Sequence, residues 1–111
     1  MDDKTLTALK QSIEKWERNV VAETTDDFTT GATTCPLCGL FWRGGRCTGC
    51  PIKVKTGKPR CIDTPYMEAY TAGRVWRYDP FRTGFRAAAH AASREEVAFL
   101  RSLLPKAETA T

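Results

Sequence analysis

Along residues 3 to 22, apolar side chains recur at steps of three and four: Leu6, Leu9, Ile13, Trp16 and Val20. Lys10, Glu14, Lys15 and Arg18 fall to the other faces. That period belongs to an amphipathic helix, N-capped by Asp2 or Asp3, with its stripe turned toward the protein's own core. The pattern then breaks. Residues 23 to 34, ETTDDFTTGATT, show neither helical nor alternating periodicity and predict a linker, with Phe28 as the side chain that tacks it to the body. Residues 35 to 61 are punctuated by Pro36, Gly39, Gly44, Gly45, Gly49, Pro51, Gly57 and Pro59, which leaves room for knuckles and short strands.

Regular pattern returns at Thr64-Pro65, a capping hydroxyl before a proline at the first helical position. It predicts a short helix over residues 65 to 72, stopped by Gly73. After turns at Asp79-Pro80 and Thr83-Gly84, the alanine-rich FRAAAHAASREEVAFLRSLL predicts a C-terminal helix over 84 to 104. Ala89, Val97, Leu100 and Leu104 lie close to one of its faces, and Pro105 ends it. The capping box Ser93-x-x-Glu96 offers an alternative start, and the tail KAETAT is expected to fray. The whole, residues 1 to 111, is expected to be a single small α-rich zinc-binding domain: N-terminal amphipathic helix, loop-rich cysteine-knuckle segment, C-terminal helices.

The zinc expectation comes from the cysteines. Five is an odd number, which suits a metal site with one extra thiol better than a complete set of disulfides. They are spaced Cys35-x2-Cys38-x8-Cys47-x2-Cys50-x10-Cys61. A two-residue spacing lets both sulfurs of a pair reach one ion at about 2.3 Å, while the turn between them aims backbone N–H groups at sulfur. The first-choice ligands are Cys35, Cys38, Cys47 and Cys50, with Cys61, just before the Thr64-Pro65 helix start, as the alternative ligand. An all-cysteine site is closed, so the zinc is expected to be structural and the protein not an enzyme. Asp63, Glu68, Glu95 and Glu96 read as helix-start charges, and His90 as a surface or packing residue. A redox role for a Cys-x-x-Cys pair is a third reading, weakened by the lack of a βαβ pattern.

Charge adds a candidate surface. The formal net charge is +4, which a zinc on four thiolates lowers by about 2. No acidic residue stands between Phe28 and Ile62, and Arg43, Arg46, Lys53, Lys55, Lys58 and Arg60 lie there beside Phe41 and Trp42. These eight residues are the candidate partner-binding set, for a host protein or for nucleic acid. Arg74, Arg77, Arg82 and Arg86 extend the basic bias. No apolar run approaches the roughly 20 residues that span a bilayer, and the polar start lacks a signal-peptide core, so neither a membrane nor a small-molecule substrate is expected and the address is cytoplasmic.

Taken together, CPLCGLFW, CTGCPIKVKTGKPRC, DTPY and VAFLRSLLP resemble a group of small phage-encoded cysteine-rich proteins. The likeness covers most of residues 35 to 105, and the helix ending in Trp16 and Glu17 is similar too. It implies five recurrent cysteines, a structural zinc with Cys61 among the candidates, and an accessory role in the host cytoplasm. The role implied is binding and inhibiting a host component, including nucleic-acid machinery and defence systems.

Overall fold

The computed structural model describes residues 1 to 106, the Ala32 side chain excepted, so nearly all of the KAETAT tail lies outside the described residues. Among the described residues, five α-helices carry the fold: α1 (Asp3–Val20), α2 (Pro36–Phe41), α3 (Pro51–Thr56), α4 (Pro65–Tyr78) and α5 (Phe85–Arg101). Short 3-10 turns at Thr25–Asp27, Ala32–Thr34 and Arg43–Gly45 join them. The chain is helix-rich, and no strand occurs among the described residues. The short strands expected of the cysteine segment are replaced by α2 and α3. Each begins at a Cys-Pro step, because proline at the first helical position fixes the backbone angle that opens a helix.

Capping explains the other helix starts. The Asp2 carboxylate accepts the Thr5 N–H at 2.8 Å, and Thr64 Oγ1 accepts the Tyr66 N–H at 3.3 Å. Gly84, in the left-handed conformation, precedes α5. Ser93, the alternative start, instead sits fully buried in mid-helix and donates to the Ala89 carbonyl at 2.8 Å. Three helix ends differ from the sequence reading, the first being that of α1, which stops at Val20 and not at 22. α5 stops at Arg101, and 102 to 104 close as a turn before Pro105. α4 continues six residues past the expected stop at 72 and carries Gly73 in its interior.

The reason for that extension is packing. Phe28, 1% exposed, lies against Gly73, where a Cβ would come within 2.5 Å of its ring. The glycine is a gap for an aromatic ring, and the helix runs on through it. Phe28 meets Trp16 and Trp76 edge to face at 6.1 and 5.9 Å. Trp16 in turn meets Tyr66, and Trp76 meets His90, at 5.9 and 6.0 Å. This run of rings joins α1, the 23 to 34 segment, α4 and α5, and such pairs contribute beyond their buried area. Asn19, fully buried, locks the same segment: its amide donates to the Thr29 carbonyl at 2.8 Å and accepts the Thr29 N–H at 3.0 Å. Residues 23 to 34 are therefore pinned against the core. His90 packs on Trp76 and donates from Nε2 to the Ala22 carbonyl at 2.6 Å. α5 packs on both α1 and α4, and α2 leans on α1, which places the cysteine segment beside the inner faces of α1 and α5.

Candidate metal centre

All five cysteines line one cavity of about 320 Å³, although they come from three separate stretches of chain. None is in a disulfide. Cys35 caps α2, and its sulfur accepts the Cys38 N–H at 3.4 Å, the N–H-to-sulfur turn that a knuckle uses. The second pair is closed by the Cys50 N–H donating to the Cys47 carbonyl at 3.0 Å. Cys61 is held by its own carbonyl, which accepts Thr64 Oγ1 at 2.7 Å next to the start of α4. The cavity thus gathers the first-choice four and the alternative fifth. As they stand, no three Cys, His, Asp or Glu side chains among the described residues are disposed to hold a single ion.

The backbone of this segment is strained. Arg43, Cys47, Arg60, Cys61 and Asp63 all have positive φ, between 35° and 62°. Such conformations cost a non-glycine residue on the order of 1 kcal/mol or more and persist where the surroundings over-determine them. Two of the five are cysteines facing the cavity.

Three polar residues that the sequence reading left outside the site share the cavity: Ser12, Lys15 and Glu96. Lys15, assigned to an outer face of α1, is 4% exposed, and Glu96, read as a helix-start charge, is 1% exposed. Ser12 Oγ and Glu96 Oε2 are buried without a hydrogen-bond partner. The sequence does carry a signal for them: Ser12 and Lys15 continue the run Thr5, Ala8, Ser12, Lys15, Asn19 along α1, and Glu96 falls in the α5 stripe Ala89, Ser93, Glu96, Leu100. Polarity hid positions that periodicity marks as buried.

Electrostatics couple these groups. Hydrogen bonding from Cys38 holds the Cys35 thiol down at about 6, against burial, and the Lys15 ammonium pulls the same way. The same hydrogen bond pushes Cys38 up, followed by burial and the neighbouring thiols. Burial pushes Cys50 up, opposed by the Ile52 and Lys53 amides, and burial pushes Cys61 up. Burial lowers Lys15, while Cys35, Cys38, Glu96 and Cys61 pull it back toward the charged form. Burial raises Glu96 to about 7. The centre is a pocket of soft sulfur donors with one thiol ready to ionise and one buried cation beside it.

Of the eight candidate partner-binding residues, Phe41, Trp42, Lys53, Lys58 and Arg60 line the cavity, and Arg43, Arg46 and Lys55 do not. Phe41 is half-buried against Gly49, and Trp42 is 38% exposed. Arg43, Arg46, Lys55 and Arg60 are exposed, the Arg60 stem lying against Gly45. Lys53 donates to the Arg46 carbonyl at 2.7 Å, and Lys58 pairs with Asp63, so two of the six cations are engaged locally. Leu40 and Val54, 39% and 75% exposed, are apolar neighbours in sequence to Phe41 and Lys55. No helix among the described residues is long and apolar enough to cross a membrane. Set against protein-family models, curated proteins and solved structures, the chain matches none.

Proposed function

We propose that this is a structural-zinc protein that acts by binding a macromolecule. The observation that supports it is the convergence of five unpaired thiols from three chain segments on one cavity. Five sulfurs and a nearby ammonium suit a borderline-soft dication: four thiolates carry more negative charge than the ion neutralises, and Lys15 offsets part of the remainder. Cys35, Cys38, Cys47 and Cys50 would be the ligands of first choice, with Cys61 the alternative. Zinc there supplies folding energy and rigidity rather than chemistry.

The rigid product is the loop 41 to 46, with Phe41 and Trp42 lining the cavity and Arg43 and Arg46 exposed beside them in sequence. Tryptophan and arginine concentrate binding energy at protein interfaces. Exposed Trp42, Leu40 and Val54 among partly engaged cations favour a protein partner at this loop over nucleic acid. The resemblance to small phage proteins supplies the setting, an accessory protein that binds or inhibits a host component.

The test has two readouts. Native mass spectrometry of the purified chain should find one zinc, lost when Cys35 and Cys38 are replaced by serine. Affinity capture from host lysate, with and without nuclease, should retain a protein partner that Trp42→Ala releases. A colourless protein without zinc refutes the metal reading, and capture abolished by nuclease refutes the protein partner.

A further inference from the structure

The turn between α4 and α5 carries a second surface, which shares no lining residue with the thiol cavity. Tyr78 and Phe81 are 90% and 96% exposed, the barest large apolar side chains of the described residues. They stand on an ordered turn: the Arg82 N–H donates to the Asp79 carbonyl at 3.2 Å and the Phe85 N–H to the Arg82 carbonyl at 3.3 Å. A shallow recess beside them is lined by Arg74, Val75, Tyr78, Arg82 and Phe85, together with Asp79 and Thr71.

The cations here are available. The Arg74 and Arg82 guanidiniums lie 5.8 and 5.5 Å from the Tyr70 and Phe85 ring centres, and Arg86 is exposed near the start of α5. The ion pairs Lys58 with Asp63 and Arg101 with Glu17, at other surfaces of the described residues, use none of these three arginines. Arg77 is occupied by the Phe28 carbonyl, and Trp76 is buried. Asp79 is the one carboxylate between residues 71 and 86. Tyr78 shares the recess with Arg74 and Arg82, and one carboxylate, Asp79, lies among them. Bare Phe81 and exposed Arg86 stand on the same turn and the helix start that follows. Two bare rings and an excess of guanidiniums match a ligand with flat faces and repeated negative charge. A single strand offers both, base faces for stacking and phosphates for arginine, whereas a duplex hides its base faces.

We propose that the α4–α5 turn binds single-stranded nucleic acid, with Tyr78 and Phe81 stacking on bases and Arg74, Arg82 and Arg86 contacting phosphates. The site stands independently of the metal and of the partner at the 41 to 46 loop.

The experiment is fluorescence anisotropy of the full chain with labelled 15-nucleotide oligo-dT and oligo-rU and a duplex control. Three phosphate contacts predict that affinity for a single strand falls about 20-fold between 50 and 200 mM salt. Tyr78→Ala and Phe81→Ala should each weaken binding about 10-fold, Tyr78→Phe should not, and Trp42→Ala should leave it unchanged. Both aromatic side chains are solvent-exposed, so circular dichroism should show all these variants folded. Absence of binding at 50 mM salt overturns the proposal, as does binding indifferent to Tyr78→Ala and Phe81→Ala, or a duplex bound as tightly as a single strand. An acidic protein released by Arg74→Glu and Arg82→Glu, with no oligonucleotide bound, overturns it in favour of a protein ligand.

Discussion

Gly73→Ala tests the packing at the centre of the fold, because two effects of opposite sign meet at that position. In an isolated helix, alanine is favoured over glycine by about 1 kcal/mol. At this site the new Cβ would stand 2.5 Å from Phe28 Cε1 and 2.9 Å from Cδ1. Carbon atoms pack at about 3.5 to 4.0 Å, so the ring must retreat by roughly 1 Å. Phe28 has little room to do so, being 1% exposed and held edge to face by Trp16 and Trp76. Overpacking of this kind costs about 1 to 3 kcal/mol, and complete expulsion of the ring would cost about 3 to 5. Gly73→Ala should therefore destabilise the protein by up to about 2 kcal/mol after the propensity gain is deducted. Urea denaturation followed by tryptophan fluorescence reads this directly, since Trp16 and Trp76 flank the ring. In a Phe28→Leu background the clash is relieved, and Gly73→Ala should become neutral or stabilising, a coupling of at least about 1 kcal/mol. A Gly73→Ala protein more stable than its parent would refute the packing argument.

Asn19→Ala should cost about 2 kcal/mol in the same assay, because both polar groups of Thr29 lose their partner; an effect under about 0.5 kcal/mol would mean that the clasp is not needed to seat residues 23 to 34. Glu96 provides a pH test. Burial raises its carboxyl to about 7 from the ordinary 4.5, so the folded protein holds a proton that the unfolded chain releases. Its contribution is present in full below about pH 4.5 and is lost as pH rises through 7, by about 3 kcal/mol at pH 8. Glu96→Gln, which cannot ionise, should gain about that much on its parent between pH 5 and pH 8 in metal-free urea titrations, and parallel profiles would contradict a buried, unpaired carboxyl.

The two longest helices were legible in the sequence because their signals are local. The three-and-four spacing of Leu6, Leu9, Ile13 and Trp16 and the alanine-rich run after Gly84 act between residues one turn apart. Asp2 and Thr64 cap helices whose N–H groups lie two or three residues away. The cysteine spacing likewise singled out the residues that line one cavity. It did not show that α2 and α3 are helical, since their turn residues outweighed the Cys-Pro starts in the reading.

Other features depended on partners distant in sequence. Gly73 reads as a stop until Phe28 is found against it, and only then is it a helical position that must lack a side chain. Lys15 and Glu96 are charged, and charge ordinarily places a residue in water; what buries them is a cavity formed jointly by α1, α5 and the cysteine segment. Trp76 and Tyr78 are two residues apart on one helix, yet one closes the core and the other is bare. The sequence by itself determined where the two longest helices form and which residues carry soft donors, because both are set by neighbours along the chain. Only the tertiary structure decided which cysteines share a space, which charges face them and which aromatics remain for a ligand, because burial belongs to the packing of segments that the sequence keeps apart.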